Sequence, residues 1–161
     1  MCVNATSPAD WGAVLALHEA HPEVVVPALG VHPWFVDDLP EDWGPALASL
    51  RAALEANPAA HVGEIGLDKV RAKSTGKAKG VHWRPLYDKQ LEVFAAQLRL
   101  AVDLNRTVSV HCVKAVGDVV AALREEATRP VGTLMHSFAA QGDMVPVLHR
   151  LGCVFSFSGE L

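Results

Sequence analysis

The chain has 161 residues, of which half are apolar and 20% are charged, and its formal net charge at pH 7 is -4. This composition is typical of one soluble globular domain with enough apolar residues for a core, and it excludes a disordered chain. So small a negative charge does not attract nucleic acid or an anionic membrane to the whole surface, so any polyanion site must be local. No apolar stretch approaches the roughly 20 residues that are needed to span a bilayer.

The N-terminal sequence MCVNATSPADWG has neither the basic segment nor the long apolar segment of a secretory signal peptide. The three cysteines, Cys2, Cys112 and Cys153, are scattered and form no CxxC pair. We therefore expect a reduced, cytoplasmic protein that has no zinc knuckle, no dithiol redox site and no membrane partner.

Short runs rich in Val, Ile or Phe alternate along the chain with longer stretches whose apolar residues have helical spacing. Ser7 and Pro8 suit the N-cap and the first position of the first helix. Pro146 is expected to shorten or bend the last helix. In chain order the sequence predicts helix 7–20, strand 24–32, helix 40–57, strand 61–67, helix 87–105, strand 107–113, helix 116–126, strand 131–138, helix 142–151 and strand 152–158.

The helix predicted over residues 87–105 has the clearest pattern, because Leu91, Phe94, Leu98 and Ala101 recur on one face. Strands that are separated by single helices are typical of repeated right-handed βαβ units with a parallel sheet. We therefore predict an α/β fold in which parallel strands alternate with helices.

Residues 69–84, KVRAKSTGKAKGVHWR, contain six of the 14 Lys and Arg residues and interrupt the otherwise even composition. Such a charged segment is typical of a solvated loop, and we predict one here. A loop that contacts phosphate groups is the alternative prediction.

Polar side chains mark the ends of four predicted strands. His32, Glu64, His111 and His136 lie at or near these carboxyl ends, and Asp68 follows shortly after Glu64 in HVGEIGLDK. In βα folds such ends meet at one mouth, where the functional residues gather. A single histidine there is more often a hydrogen-bonded core residue than a ligand. Three histidines and a costly buried carboxylate at equivalent positions together predict a functional site.

Imidazole and carboxylate groups together suit Zn²⁺, Mn²⁺ or another divalent ion, and a glutamate can bridge two such ions. A serine-histidine hydrolase is the competing prediction, but the sequence has no GxSxG motif. A Cys112 nucleophile is a further alternative. Adjacent strand residues point to opposite faces, however, so Cys112 is expected to pack in the interior if His111 faces the site. The phosphate-binding patterns GxxxxGK[ST] and GxGxxG are also absent.

Five motifs follow one another along the chain: LGVHPWF (29–35), VGEIGLDK (62–69), QLEVFAAQLRLAVDLNRTVSVHCVKA (90–115), LMHSF (134–138) and VFSFSG (154–159). Together they resemble, in order and spacing, the motifs of the TatD-type metal-dependent deoxyribonucleases and hydrolases. The resemblance implies a (β/α)8 TIM barrel of the amidohydrolase type that hydrolyses phosphodiester bonds in DNA, with divalent metal at the strand ends.

The resemblance also implies roles for individual residues. Glu64 matches a glutamate that ligates or bridges the metal and is the implied catalytic carboxylate, and His111 and His136 match metal ligands. His32 is similar to a family residue beside the active site and is expected to contact substrate. Lys114 stands near the position of a family arginine and is expected to contact phosphate as a point charge. The implied cofactor is Zn²⁺, Mg²⁺ or Mn²⁺ in one or two sites, and the implied partner is DNA or another phosphodiester.

Two family features have no counterpart here: a first strand ending in D-x-H-x-H and an aspartate in an E-T-D segment, since this sequence ends in SGEL. Barrels of this kind have about 250 residues. We therefore expect residues 1–161 to form a single domain, an incomplete (β/α)8 barrel without the first strand and the last βα unit. The alternative to an active hydrolase is a truncated form without catalytic activity.

Overall fold

The computed structural model describes residues 1–139 and 142–159, which form one parallel sheet covered by helices. The six strands lie side by side in chain order and curl into a half-barrel, so the predicted α/β class and incomplete TIM barrel are confirmed. The strands are β1 (Cys2–Asn4), β2 (Val26–Leu29), β3 (His61–Asp68), β4 (Val108–Val113), β5 (Thr133–Met135) and β6 (Cys153–Phe155). The last two residues of SGEL lie outside the described residues.

Six α-helices alternate with these strands, and β3 alone is followed by two of them. The helices are α1 (Trp11–Ala20), α2 (Gly44–Ala56), α3 (Lys69–Lys79), α4 (Trp83–Asp103), α5 (Val116–Arg124) and α6 (Val145–Arg150). Short 3₁₀ turns precede α2 and α6 at Val36–Asp38 and Gly142–Met144, and a third follows α5 at Glu126–Thr128. In the described parts of the chain, no helix combines the length and the apolar character that a membrane span needs.

The register of the sheet places the predicted site residues at one level. Gly66 of β3 pairs with His111 of β4, and Val110, the residue before His111, pairs with Met135, the residue before His136. The pairing of β3 with β4 shifts between Val62 and Ile65, which is where Glu64 lies. The carboxyl ends of β3, β4 and β5 therefore present their polar side chains to the same mouth.

Helix α4 connects the core to the strand ends through two buried glutamines. Gln97 accepts a hydrogen bond from the Val31 N–H at 2.8 Å and donates one to the Val31 carbonyl at 3.1 Å. The Oε1 atom of Gln90 accepts the Asp68 N–H at 2.9 Å. These bonds satisfy backbone groups that would otherwise be buried without partners, and they fix the segments that carry His32 and Asp68. The same helix buries a set of apolar residues against the sheet: Tyr87, Val93, Phe94, Leu98 and Ala101.

The loop predicted over residues 69–84 is wrong, because most of this segment is helical. Asp68 caps α3 by accepting the Arg71 N–H at 2.7 Å, and Gly80 ends it with a φ of 67° in the left-handed region. Both features are typical helix termini. The helix has only the small residues Ala72 and Gly76 in its interior face, so it lacks the apolar period that identifies a helix from sequence.

Several predicted boundaries also differ. The first helix begins at Trp11 and not at Ser7, because the Asp10 carboxylate accepts the N–H groups of Thr6 and Ser7 and closes a turn there. Strand β1 has only three residues and was not predicted from the hydrophobic runs. Helix α2 begins after the predicted residue 40, whereas α6 is short, as Pro146 predicts.

Candidate metal centre

The carboxyl ends of the central strands bring together four of the five predicted site residues. The Oε1 atom of Glu64 lies 3.0 Å from Nδ1 of His136 and 3.4 Å from Nδ1 of His111. His32, Glu64 and His111 each offer a ligand atom, and these three atoms lie within 4.8 Å of one another. A carboxylate oxygen is thus surrounded by imidazoles at a spacing that one divalent ion could span.

Backbone hydrogen bonds to other segments of the sheet hold three of these residues in place. The Glu64 N–H donates to the Ala5 carbonyl at 2.9 Å, and the His32 N–H donates to the Thr6 carbonyl at 2.8 Å. The His136 N–H donates to the Val110 carbonyl at 2.9 Å. Glu64 is thus bonded to the segment after β1, which is not the neighbour of β3 in the strand order, whereas His136 is bonded to the adjacent strand β4.

Two glycines of β3, one directly before Glu64 and one two residues after it, allow β3 and β4 to approach closely. A Cβ atom on Gly66 would lie 2.0 Å from the His111 carbonyl oxygen, and its φ of 143° is unfavourable for any side chain. A Cβ atom on Gly63 would lie 2.7 Å from the Cβ atom of Ser109. Because only glycine fits at these points, the GEIG segment sets how near Glu64 lies to His111.

Asp68 is a site residue whose role the sequence analysis missed. It is buried, and its Oδ2 atom accepts the indole N–H of Trp34 at 2.8 Å and lies 3.2 Å from Nε2 of His111. Carboxylates that hold the second nitrogen of a ligating histidine orient its ring and raise its basicity. The available signal was the position of Asp68, directly after the strand that carries Glu64.

The electrostatics of His111 reflect its place between two carboxylates. Burial lowers its pKa, but hydrogen bonds to Asp68 and Glu64 outweigh burial and raise the pKa to about 9. Burial raises the pKa of Asp68, but hydrogen bonds from His111, the Arg71 N–H and the Trp34 indole outweigh burial and lower the pKa to about 2. The pKa of Glu64 is lowered in the same way, against burial, by His111, His136 and His32. Both carboxylates are thus ionised at neutral pH.

His32 differs from His111, because burial dominates its environment. Burial and the neighbouring His111 lower the pKa of His32 to about 4. Its Nδ1 atom accepts the backbone N–H of Trp34 at 3.2 Å. Its ring meets that of His111 edge-on, with the two ring centroids 4.4 Å apart. A neutral imidazole at this position is chemically able to ligate a cation as well as to contact substrate.

The contacts that join the other four residues do not include the fifth predicted residue, Lys114. It is exposed, has a φ of 53°, and lines a cavity of about 600 Å³ with Cys112, Val116 and Met144. In the described part of the chain, no hydrogen bond or ion pair joins its side chain to Glu64 or the histidines. The thiol of Cys112 packs against the core, and burial raises its pKa to about 11, so it is protonated at neutral pH.

A half-barrel of parallel strands with three histidines and a glutamate at their carboxyl ends is an arrangement typical of metal-dependent hydrolases on the (β/α)8 fold. Comparison with known proteins specifies the family. The chain belongs to the TatD family, since the family described as TatD related DNase matches residues 1–161.

Individual relatives agree with this assignment. The chain is 29% identical over 140 residues to an uncharacterized metal-dependent hydrolase, YabD, of Bacillus subtilis, covering 86% of this chain and 49% of that protein. It is 28% identical over 159 residues to the 3'-5' ssDNA/RNA exonuclease TatD of Edwardsiella piscicida, a match that covers 99% of this chain and 56% of that protein. The crystal structure of the TatD homologue YJJV from Escherichia coli superposes on this chain with a TM-score of 0.77 at 27% identity. The match covers 96% of this chain and 54% of that one. The chain thus spans about half the length of these relatives.

Proposed function

We propose that this chain carries a metal-dependent phosphodiesterase site of the TatD type, which cleaves DNA or a related nucleic acid. The observation that supports the proposal best is the approach of His111 and His136 to one carboxylate oxygen of Glu64, at 3.4 and 3.0 Å. We propose Glu64, His111 and His136 as metal ligands and Glu64 as the catalytic carboxylate. His32 lies close enough to bind either the ion or the substrate.

The donor set fits a divalent ion on chemical grounds. Imidazole and carboxylate ligands suit Zn²⁺ and Mn²⁺, and carboxylates also suit Mg²⁺. Glu64 and Asp68 carry two negative charges in a largely buried site, and without an ion His111 is protonated between them, so a bound cation would replace the His111 proton. A divalent ion bound there would act as a Lewis acid toward a phosphate oxygen. Three protein ligands would suffice for one such ion, and a glutamate such as Glu64 could bridge two.

The protein residues would have distinct tasks in this reaction. Asp68 would hold the His111 ring in a fixed orientation through the 3.2 Å contact with Nε2. Glu64 would stay ionised at neutral pH because its pKa is lowered by the imidazoles around it. His32 would remain neutral at that pH, and because its Nδ1 accepts the Trp34 backbone N–H, its Nε2 would carry the ring proton and donate it to a substrate oxygen.

Hydrolysis of a labelled single-stranded oligonucleotide with added Mg²⁺, Mn²⁺ or Zn²⁺ tests the proposal. We expect Glu64→Gln and His111→Ala to abolish cleavage. The matched controls Glu92→Gln and His149→Ala alter exposed residues outside the cluster and should cleave normally. Cleavage that persists in Glu64→Gln would contradict the proposal.

The alternative is a chain that binds metal without hydrolysing a phosphodiester. Since the chain spans about half the length of the relatives it matches, cleavage by residues 1–161 alone has to be measured. Calorimetric titration with Zn²⁺ separates the two functions: metal binding that is lost in His111→Ala, together with no cleavage by the wild-type chain, would support the alternative.

A further inference from the structure

An exposed indole lies at the edge of the candidate metal centre. Trp34 is 48% exposed, although its N–H donates to the buried carboxylate of Asp68 at 2.8 Å. Its ring centroid is 5.4 Å from that of His32 and 6.4 Å from that of His111. One edge of the ring is therefore fixed to the site, while nearly half of the side chain remains open to a ligand.

A positive charge accompanies this indole. The Arg71 guanidinium lies 5.5 Å from the centroid of the Trp34 ring, in the range of a cation–π contact. Within residues 1–139 and 142–159, Arg71 forms no ion pair with a carboxylate. Two other cations of α3 are neutralised, because Lys69 pairs with Asp118 at 3.2 Å and Lys79 with Asp37 at 3.8 Å. Arg71 is thus a cation without an ion pair in the described residues, and it lies beside the exposed ring.

This pair has the chemistry of a nucleotide subsite. Proteins bind single strands by stacking bases on aromatic side chains and by placing cations along the phosphate backbone. An Arg guanidinium also binds a phosphate through two parallel hydrogen bonds. Since the chain as a whole is acidic, attraction of a polyanion to this place must come from local charges such as Arg71.

We propose that Trp34 and Arg71 form a subsite that binds one unpaired nucleotide next to the scissile phosphate, with the base on the indole and a phosphate on the guanidinium. The inference rests on the proposed function, because it places the strand at that same centre. A base inside a duplex is stacked on both faces and cannot lie on Trp34. The subsite therefore selects single strands and frayed ends over closed duplexes.

Helix α3 also provides a matched control. Lys73 lies 5.3 Å from the centroid of the Trp83 ring, so it is likewise a cation over an indole. Positions 71 and 73 are about 200° apart around the helix, which places Lys73 on the other flank. In the described residues, neither Lys73 nor Trp83 makes a hydrogen bond or ring contact with the metal-centre cluster.

The test is fluorescence anisotropy of a labelled oligothymidylate of about eight nucleotides, with EDTA present so that no cleavage occurs. Trp34→Leu should weaken binding about 5- to 150-fold, the range that one stacked base contributes. Trp34→Phe, which keeps a ring but not the N–H donor to Asp68, should bind within about twofold of wild type. Binding to a blunt hairpin duplex should be unchanged in both variants.

Charge variants test the second half of the subsite. A plot of log affinity against log salt has a negative slope. Arg71→Gln should make this slope less steep by about 0.7, the value for one phosphate contact on a single strand. Lys73→Gln should leave that slope unchanged. Equal losses in the two variants would overturn the proposal, because the whole helix would then attract the strand without a defined contact.

Two further results would also overturn the subsite: wild-type affinity in Trp34→Leu, and no binding of the single strand by the wild-type chain. A failure of the hydrolase proposal is distinguishable from these results. The hydrolase proposal is tested with the small ester bis(p-nitrophenyl) phosphate and added metal. It fails if the wild-type chain and Glu64→Gln cleave this ester equally. That ester has no nucleobase, and the comparison changes Glu64 while Trp34 stays intact, so its outcome is separate from the effect of Trp34→Leu on strand binding.

Discussion

The Oδ2 atom of Asp68 lies 3.2 Å from Nε2 of His111, so the histidine is held on the side opposite to Glu64. Asp68→Asn should therefore weaken Zn²⁺ binding about 10- to 100-fold, the usual effect of losing a carboxylate behind a ligating histidine. Asparagine retains an oxygen that can cap α3, so the fold should be preserved. Calorimetry checks the affinity, and circular dichroism checks the helix content. Unchanged Zn²⁺ affinity would show that Asp68 does not support the metal centre.

Gln97 connects helix α4 to the strand end that leads to His32. Gln97→Met should lower the free energy of unfolding by about 1–3 kcal/mol, because the N–H and carbonyl of Val31 then lose their partners inside the protein. Urea unfolding measures the change. Arg99→Met, an exposed change on the same helix, is the control and should stay within about 0.5 kcal/mol of wild type.

Gly66 should tolerate no side chain. Gly66→Ala places a Cβ atom 2.0 Å from the His111 carbonyl oxygen at a φ of 143°, so we expect a loss of at least about 3 kcal/mol. Gly117→Ala is the matched control, because a Cβ atom there meets nothing within 4 Å and alanine favours the helix. Thermal unfolding compares the two variants. Equal melting temperatures would contradict the close packing of β3 on β4.

Asp10 should contribute stability that depends on pH. Burial raises its pKa, but hydrogen bonds from Ser7 and Thr6 outweigh burial and lower the pKa below its ordinary value. A lowered folded-state pKa adds stability above the unfolded value of about 3.9, and that stability is lost as pH falls through the folded value. Asp10→Asn should therefore cost about 1 kcal/mol at pH 7, since the carboxylate is partly exposed.

The difference between wild type and Asp10→Asn should shrink as the pH falls below about 4, because protonation makes the Asp10 side chain neutral, as asparagine is. Urea unfolding at several pH values measures this difference. A constant difference across the range would mean that the charge of Asp10 does not stabilise the turn before α1.

Helix α4 and the central strands were predictable because their apolar periods are strong and local. Leu91, Phe94, Leu98 and Ala101 follow the helical repeat, and the structure places the helix at Trp83–Asp103. The grouping of Glu64, His111 and His136 was also predictable, because the carboxyl ends of parallel strands share one edge of a sheet. Their role as metal ligands stays a prediction.

Helix α3 was not predictable from its apolar pattern. Its interior face contains Ala72 and Gly76, and Gly76 packs where a Cβ atom would meet the backbone of Trp83 at 3.0 Å. The helix is thus defined by the Asp68 cap, by Gly80 and by close packing on α4. Cap residues occur in many loops as well, so they did not outweigh the charge of the segment.

The sequence by itself determined the alternation of strands and helices, the parallel sheet and the strand-end positions of Glu64, His111 and His136, because these follow from short-range periodicity. Only the tertiary structure decided that Asp68 lies behind His111, that Trp34 and Arg71 meet beside the site, and that Lys114 lines a cavity with Cys112 and Met144. These relationships join residues that are up to 43 positions apart. They depend on strand register and helix packing, which a local pattern does not contain.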